Sequence, residues 1–237
     1  MTTSAEADRI TQVYREYQAS AATQARWDRR NPGNRAILRE RHAAIRAALE
    51  AAGMLPLAGR RVLEIGCGSG DVLASLLDLG ADAKDLCGVD LLPERIGDAA
   101  RRFPALSFLA ANGTALPLAS ASVDLILFFT VFSSILERQM AREVAAETRR
   151  VLAQGGAVLW YDFRYDNPRN PNVHGMSRHA IQSLFPDFAL SLRTVTLLPP
   201  LARRLGRVTP LLYPWLAKLP PLRTHYLGLL LKRAQDG

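Results

Sequence analysis

The sequence predicts an α/β protein built on a doubly wound, mostly parallel sheet of seven strands. From residue 60 onward, short apolar runs alternate with helical segments, as crossovers between parallel strands require. The run at 62–65 leads directly into a glycine-rich turn at 66–70. The run at 123–129 is apolar along almost its whole length, which is typical of a strand covered on both faces. These features predict one sheet with helices on both sides.

The order of these segments gives the expected elements. We expect strands at 62–66, 86–90, 106–110, 123–129, 157–163, 189–198 and 223–231. Residues 1–53 are expected to form an N-terminal helical cap, because proline and glycine at 31–34 interrupt the helix and Gly53 ends it. Residues 54–237 would form the sheet domain, with a helical insertion at 199–222 before the last strand.

The turn after the first strand indicates a nucleotide-like ligand. Glycines at positions 66, 68 and 70 permit backbone angles closed to other residues and allow a ligand to approach the backbone. The dinucleotide fingerprint requires a third glycine where this chain has Asp71. A carboxylate at this helix start would repel a pyrophosphate. A cofactor with a cationic centre and no phosphate therefore fits better.

The segment Glu64-Ile65-Gly66-Cys67-Gly68-Ser69-Gly70 resembles the first motif of class I S-adenosylmethionine-dependent methyltransferases, and the resemblance covers roughly residues 60–163. It implies a Rossmann-like methyltransferase fold, S-adenosylmethionine as cofactor, Glu64 orienting the methionine end, and a turn, Cys67 included, that approaches the cofactor closely. A tight turn without a ligand and a nicotinamide site are the alternatives.

Other strand ends complete the expected cofactor site. Asp90 ends the second strand, where doubly wound folds place an acid against ribose hydroxyls. The resemblance implies an adenine contact after the third strand, with Asn112 replacing the commoner aspartate. The fourth strand ends beside the cofactor in this topology. The expected contacts beyond the turn are Asp90, Leu91, Asn112, Gly113, Thr114 and Phe129.

Aromatic residues stand out in the N-terminal segment. Tyr14, Tyr17 and Trp27 either fix these helices on the sheet or belong to a lid, since the resemblance implies an N-terminal helix that gives a tyrosine to the cofactor. The polar segment that contains Asn31 and Asn34 fits a loop that faces the substrate. All five residues are therefore candidates for acceptor binding.

The loop after the fifth strand holds the candidate catalytic residues. His174 is the best candidate general base, with Asp162 at the strand end to orient it; the alternative is that His174 only hydrogen-bonds the loop backbone. Tyr165 and Asn170 of this loop would contact the acceptor. Many related enzymes carry a histidine pair where this chain has serines at 133–134, so a familiar base is missing.

The chain is basic, with a formal charge of +8 and a pI of about 10.1. Such a charge suits nucleic acid, an anionic membrane or a phosphorylated substrate. The basic blocks at 26–46 and 203–233 do not have the pattern of an RNA-binding module. Cys67 and Cys87 provide neither a disulfide framework nor zinc spacing, so we expect a reducing cytoplasm and no metal.

The insertion at 199–222 combines arginines with leucines and a tryptophan, and it is apolar on more than one side. Its apolar sides are therefore expected to pack against another surface. A roof over the substrate pocket or a homodimer contact is favoured over a peripheral contact with an anionic membrane.

Together these features predict an S-adenosylmethionine-dependent methyltransferase of a biosynthetic pathway. The expected acceptor is an oxygen, less often a nitrogen, of a small molecule such as a sugar, a glycoside or a lipid-linked intermediate. In-line placement of the acceptor would supply most of the catalysis. RNA methylation, a non-catalytic cofactor-binding scaffold and a nicotinamide oxidoreductase are the alternatives.

Overall fold

The computed structural model describes residues 3–233, which form a seven-stranded sheet flanked by helices. The strands are β1 Val62–Ile65, β2 Leu86–Asp90, β3 Ser107–Ala110, β4 Val123–Phe129, β5 Leu152–Phe163, β6 Phe188–Leu197 and β7 Arg223–Lys232. Their order is β3-β2-β1-β4-β5-β7-β6, and β7 runs antiparallel to both neighbours. The fold class expected from the sequence is confirmed.

The helices lie on both faces of this sheet. They are α1 Thr3–Ala19, α2 Ala21–Arg26, α3 Pro32–Ala51, α4 Asp71–Ser75, α5 Pro93–Arg102, α6 Arg138–Val151, α7 Arg178–Leu184, α8 Pro199–Arg204 and α9 Thr209–Leu216. Short 3₁₀ turns at 76–79, 83–85, 132–134, 206–208 and 220–222 connect them. No helix among residues 3–233 is both long and apolar enough to cross a bilayer.

The alternation of side chains along β4 explains the two cores. Ile126 and Phe128 point to one face, where they pack with residues of α6 and α7, while Leu125 and Leu127 point to the other face. This second face is covered in part by α3, since Ile45 and Leu49 belong to its buried cluster. The N-terminal helices therefore share a core with the sheet.

Helix α1 lies on the opposite side, at the carboxyl edge of the sheet. Ile10 packs into the first core, and the buried carboxylate of Glu6 accepts hydrogen bonds from the backbone N–H groups of Leu136 and Glu137 at 2.6 and 3.3 Å. Arg9 donates to the carbonyl of Ser134 at 2.7 Å. These contacts place α1 over the segment that follows β4.

The predicted helical insertion is present as α8 and α9 with their short turns. Its inner side packs against α3 and β6, through Ile37, Leu197, Ala202, Tyr213 and Ala217. The approach is close: a Cβ atom added to Gly33 would lie 2.1 Å from the carbonyl oxygen of Ala202. The insertion is thus held against the N-terminal helices.

Candidate functional site

A cavity of about 130 Å³ opens at the carboxyl ends of β1, β2, β3 and β4. Residues expected at the cofactor from separate parts of the sequence meet here, namely Gly66, Asp90, Leu91, Asn112, Gly113 and Phe129. Ile10 and Tyr14 of α1 line the same cavity.

Gly66 of the glycine turn lines the cavity, whereas Gly68 and Gly70 do not. Gly66, Gly68 and Gly70 have φ values of +73°, +53° and +74°. A Cβ atom on Gly66 would lie 2.7 Å from Cγ2 of Val131, which also lines the cavity. Cys67 is buried, its Sγ atom lies close to Gly88, and burial raises the pKa of its thiol. The side chain of Cys67 therefore does not line the cavity.

Asp90 is the carboxylate of the cavity wall. Its Oδ2 accepts a hydrogen bond from the backbone N–H of Gly68 at 2.9 Å, and its Oδ1 accepts one from Leu92 at 3.1 Å. The side chain of Arg95 is 3.5 Å from Oδ2. Because each carboxylate oxygen has two lone pairs, Asp90 retains acceptor capacity for ligand hydroxyls.

Arg95 is a residue of the site that the sequence reasoning missed. Its guanidinium lies 5.0 Å from the ring centre of Tyr14, and it covers Gly68 so closely that a Cβ atom there would come within 2.2 Å of Nη2. Tyr14 in turn shares a hydrogen bond of 2.9 Å with the hydroxyl of Ser134. Helix α1 is thus connected to the cavity wall. Arg95 could have been found from the sequence, because it lies in the first turn of the helix that follows Asp90.

Glu64 lies beneath the turn and does not line the cavity. Its Oε2 accepts from the backbone N–H of Leu73 at 3.0 Å, and burial raises its pKa to about 8. Arg41 of α3 lies on the same side, with its guanidinium 5.5 Å from the ring of Phe129 and 5.6 Å from that of Tyr161. Nε of Arg41 is buried without a hydrogen-bond partner in the described chain. The sequence reasoning missed Arg41, and no motif marked it.

The turn after β3 is organised by Asn112, whose Oδ1 accepts from the backbone N–H of Thr114 at 3.1 Å. Asn112 and Gly113 line the cavity, and Thr114 does not.

Asp162 and His174 are not joined by a hydrogen bond in the described part of the chain, so the expected orienting contact is not formed. The Asp162 carboxylate instead accepts from the backbone N–H groups of Ser133 and Phe163 at 3.0 and 2.8 Å. Burial raises the pKa of Asp162 to about 6. The backbone N–H of His174 donates to the carbonyl of Ser133 at 2.9 Å, and its Nδ1 is buried without a partner among residues 3–233. Neither side chain lines the cavity.

The aromatic residues of α1 connect to the loop after β5. The rings of Tyr14 and Tyr17 meet edge to face with centroids 5.7 Å apart. The hydroxyl of Tyr17 donates to Oδ1 of Asn170 at 3.1 Å. Tyr165 of the same loop is largely exposed, with Arg164 stacked on its ring. Tyr14 lines the cavity. Tyr17 and Asn170 do not line it, but Tyr17 packs against the ring of Tyr14.

The other expected acceptor contacts have structural roles in this conformation. Oδ1 of Asn31 accepts from the backbone N–H groups of Gly33 and Asn34 at 2.9 and 3.3 Å, which caps α3. Asn34 is buried and donates to the carbonyls of Arg26 and Asp28. Trp27 is exposed beneath Arg203 of the insertion. The side chains of Asn31 and Asn34 therefore hydrogen-bond the backbone of this segment, and their contact with an acceptor stays a prediction.

Asp71 also differs from the expectation. Burial alone would raise its pKa, but hydrogen bonds from Arg102, Ser69 and Arg29 outweigh burial and lower the pKa of Asp71 to about 2. The negative charge is offset by two guanidinium groups. These ion pairs weaken the argument that Asp71 repels a pyrophosphate, so the choice of cofactor needs other support.

Comparison with known proteins supplies that support. Residues 62–156 match the family model of a methyltransferase domain. Residues 62–156 therefore form a methyltransferase domain, and the resemblance to class I S-adenosylmethionine-dependent methyltransferases is confirmed for this part of the chain. The matched residues contain the glycine turn, Asp90, Asn112 and Phe129, so they include most of the cavity wall. The cofactor of this class, S-adenosylmethionine, agrees with the expectation from the sequence.

Two relatives of this protein are named for methylation in the ubiquinone and menaquinone pathways. The ubiquinone/menaquinone biosynthesis C-methyltransferase UbiE of Campylobacter jejuni is 29% identical over 107 residues, 44% of this chain and 44% of that protein. Demethylmenaquinone methyltransferase of Beutenbergia cavernae is 32% identical over 118 residues, 50% of this chain and 46% of that protein. The chain thus spans less than half the length of these relatives.

A solved structure extends the likeness in fold over almost the whole methyltransferase. The N-methyltransferase NodS from Bradyrhizobium japonicum WM9, in complex with S-adenosyl-l-homocysteine, has a TM-score of 0.66 and covers 95% of this chain and 99% of its own. Since the two sequences are 18% identical, this likeness shows the fold alone.

Proposed function

We propose that this protein transfers the methyl group of S-adenosylmethionine to carbon or oxygen of a small acceptor with a weakly acidic hydroxyl, such as a phenol or an enol. The cavity that carries this proposal is lined by Gly66, Asp90 and Asn112, with Tyr14 of α1. When bound, S-adenosylmethionine supplies an electrophilic methyl group on a positively charged sulfur. Residues of this chain bind the cofactor and position the acceptor.

The residues fit the parts of the cofactor by their chemistry. The Asp90 carboxylate can accept from ribose hydroxyls, and the wall formed by Leu91, Asn112 and Gly113 suits the adenine ring. Glu64 and Arg41 do not line the cavity, so the contact of Glu64 with the methionine end stays a prediction. The hydrogen bond from Leu73 to Glu64 connects α4 to β1.

The titratable side chains that line the cavity determine which acceptors are suitable. They are Tyr14, Asp90 and Arg95. Burial raises the pKa of Tyr14, so its phenol keeps its proton at neutral pH, and Asp90 is held by two backbone N–H groups. A guanidinium does not accept a proton. No lining residue in the described chain is therefore a free general base.

An acceptor that ionises readily suits such a cavity. An aliphatic hydroxyl needs a base in the transition state, whereas a phenol with a pKa of about 10 can lose its proton to solvent. The sugar hydroxyl expected from the sequence is thus less well supported than a phenol or enol. Relatives named for ubiquinone and menaquinone methylation favour the same class of acceptor. Alignment of the bound acceptor with the methyl group would then supply most of the rate.

A matched pair of acceptors tests this proposal. The purified protein is incubated with S-adenosylmethionine and either a dihydroxynaphthalene or the corresponding ring-saturated diol, and S-adenosylhomocysteine is measured by mass spectrometry. We expect product with the aromatic diol and none with the saturated one. Product with a sugar or with tRNA alone would contradict the proposed acceptor, and no product with any acceptor would favour the scaffold alternative.

A further inference from the structure

The outer side of the insertion is an exposed apolar face. We define this face by Leu198, Val208, Leu211, Leu212, Trp215 and Leu219, with Leu211 and Trp215 exposed by 67% and 66%. The opposite side of the same segment is buried through Ala202, Tyr213 and Ala217. The face is therefore a fixed feature of a packed element. Apolar side chains grouped in this way mark an interaction surface.

Unpaired positive charges lie in the same segment as this face. Arg204, Arg207 and Lys218 are exposed, and none of them forms an ion pair within residues 3–233. The stretch 188–235 contains no aspartate or glutamate. Nζ of Lys218 lies 4.3 Å from the ring of Trp215, so a cation accompanies the largest exposed apolar side chain.

We propose that this face docks on an anionic lipid membrane. Leucine and tryptophan side chains insert at the boundary between headgroups and acyl chains, while arginine and lysine meet the negative headgroups. The attachment would be peripheral, because α8 and α9 are six and eight residues long. The proposal concerns a surface remote from the cavity, and it does not depend on the acceptor proposed above.

The charge around the face argues against a second copy of the chain. A symmetric dimer through this face would bring the same patch of each copy together. The positive charges of Arg204, Arg207 and Lys218 in one copy would then face those of the other copy and repel them. The stretch 188–235 contains no acidic residue to offset this repulsion. The sequence reasoning also favoured a pocket roof. No residue of 199–222 lines the cavity, so the insertion does not form its roof in this conformation.

Sedimentation with lipid vesicles tests the proposal. The full chain is mixed with phosphatidylcholine vesicles, with or without phosphatidylglycerol, and the bound fraction is measured. We expect binding to the vesicles that contain phosphatidylglycerol and weak binding to phosphatidylcholine alone. The double variant Leu211→Ser with Trp215→Ser should lose affinity by about tenfold or more. Its matched control, Leu77→Ser with Leu109→Ser, changes side chains exposed by 42% and 41% elsewhere and should bind normally.

A second pair of variants tests the charges. Arg204→Glu with Arg207→Glu should abolish the preference for phosphatidylglycerol. The control Arg138→Glu with Arg142→Glu makes the same change in net charge on exposed positions of α6 and should keep it. No binding to anionic vesicles would overturn the proposal, as would equal losses in variants and controls. A dimer in sedimentation equilibrium that Leu211→Ser with Trp215→Ser dissociates would also overturn it, in favour of a second copy.

Discussion

The guanidinium of Arg95 lies 5.0 Å from the ring centre of Tyr14. The same guanidinium is 3.5 Å from the carboxylate of Asp90, which lines the candidate cofactor cavity. A residue of α1 is thus linked through one cation to the acid expected at the ribose. This arrangement predicts that α1 contributes to cofactor binding.

Removal of the Tyr14 ring should therefore weaken cofactor binding. Tyr14→Ala deletes both the contact with Arg95 and the hydrogen bond to Ser134, and we expect a loss of about 1–2 kcal/mol. Tyr14→Phe keeps the ring and should lose less. Calorimetric titration with S-adenosylmethionine measures both. Equal affinity in Tyr14→Ala and the wild type would show that α1 is only a structural cover.

Asp90 should contribute more than any other side chain of the cavity to the affinity for S-adenosylmethionine. Asp90→Ala is expected to weaken binding by roughly 1–3 kcal/mol, because charged hydrogen bonds are lost. Asp90→Asn, which keeps the shape, separates charge from packing. Asp98→Ala, an exposed acid of α5 paired with Arg101, is the control. If Asp90→Ala and Asp98→Ala bind the cofactor alike, Asp90 does not hold the ribose.

The buried acid Glu64 predicts a pH dependence of stability. Its pKa rises from an ordinary 4.5 to about 8 on folding, because burial disfavours the charged form. Folded Glu64 therefore keeps its proton between these values, and its contribution to the free energy of unfolding should fall as pH rises from about 4.5 to 8. Asp162 acts in the same direction up to about pH 6. Buried His225, whose pKa falls from 6.5 to about 3, acts in the opposite direction between those two values.

Glu64→Gln should flatten this slope above pH 6, since the amide oxygen can still accept from the backbone N–H of Leu73. Urea unfolding at several pH values measures the effect. A slope between pH 6 and 8 that is the same in the variant and the wild type would mean that another group titrates.

His174→Ala should leave turnover nearly unchanged. The ring lies outside the cavity, and the proposed acceptor requires no positioned base. A general base contributes about 10²–10⁴-fold to a rate. A fall of about 100-fold in kcat with normal affinity for S-adenosylmethionine would restore the role that the sequence suggested for His174. This assay uses the dihydroxynaphthalene acceptor, or whichever acceptor proves active.

The sequence predicted the fold and one wall of the site because both depend on local backbone constraints. The positive φ angles at Gly66 and Gly68 and the acid at the end of β2 are properties of short segments. Arg95 and Arg41 could not be found in this way. Their positions depend on how α5 and α3 are rotated and packed, which no short motif specifies.

Two differences between expectation and structure have identifiable causes. Asn31 comes immediately before Pro32, an arrangement typical of a helix cap followed by proline in the first turn, yet it was interpreted as a substrate contact. The pairing of Asp162 with His174 assumed that the loop after β5 folds over the cavity. Instead, Asp162 accepts a hydrogen bond from the backbone N–H of Ser133 in the turn after β4. The two residues are far apart in the sequence, so no short motif predicts this contact.

The most direct test is calorimetric titration of the purified protein with S-adenosylmethionine and, separately, with NADH. The cavity described here predicts saturable binding of S-adenosylmethionine at one site per chain, weakened in Asp90→Ala, and no binding of NADH. Binding of NADH without binding of S-adenosylmethionine would contradict the assignment of the cavity.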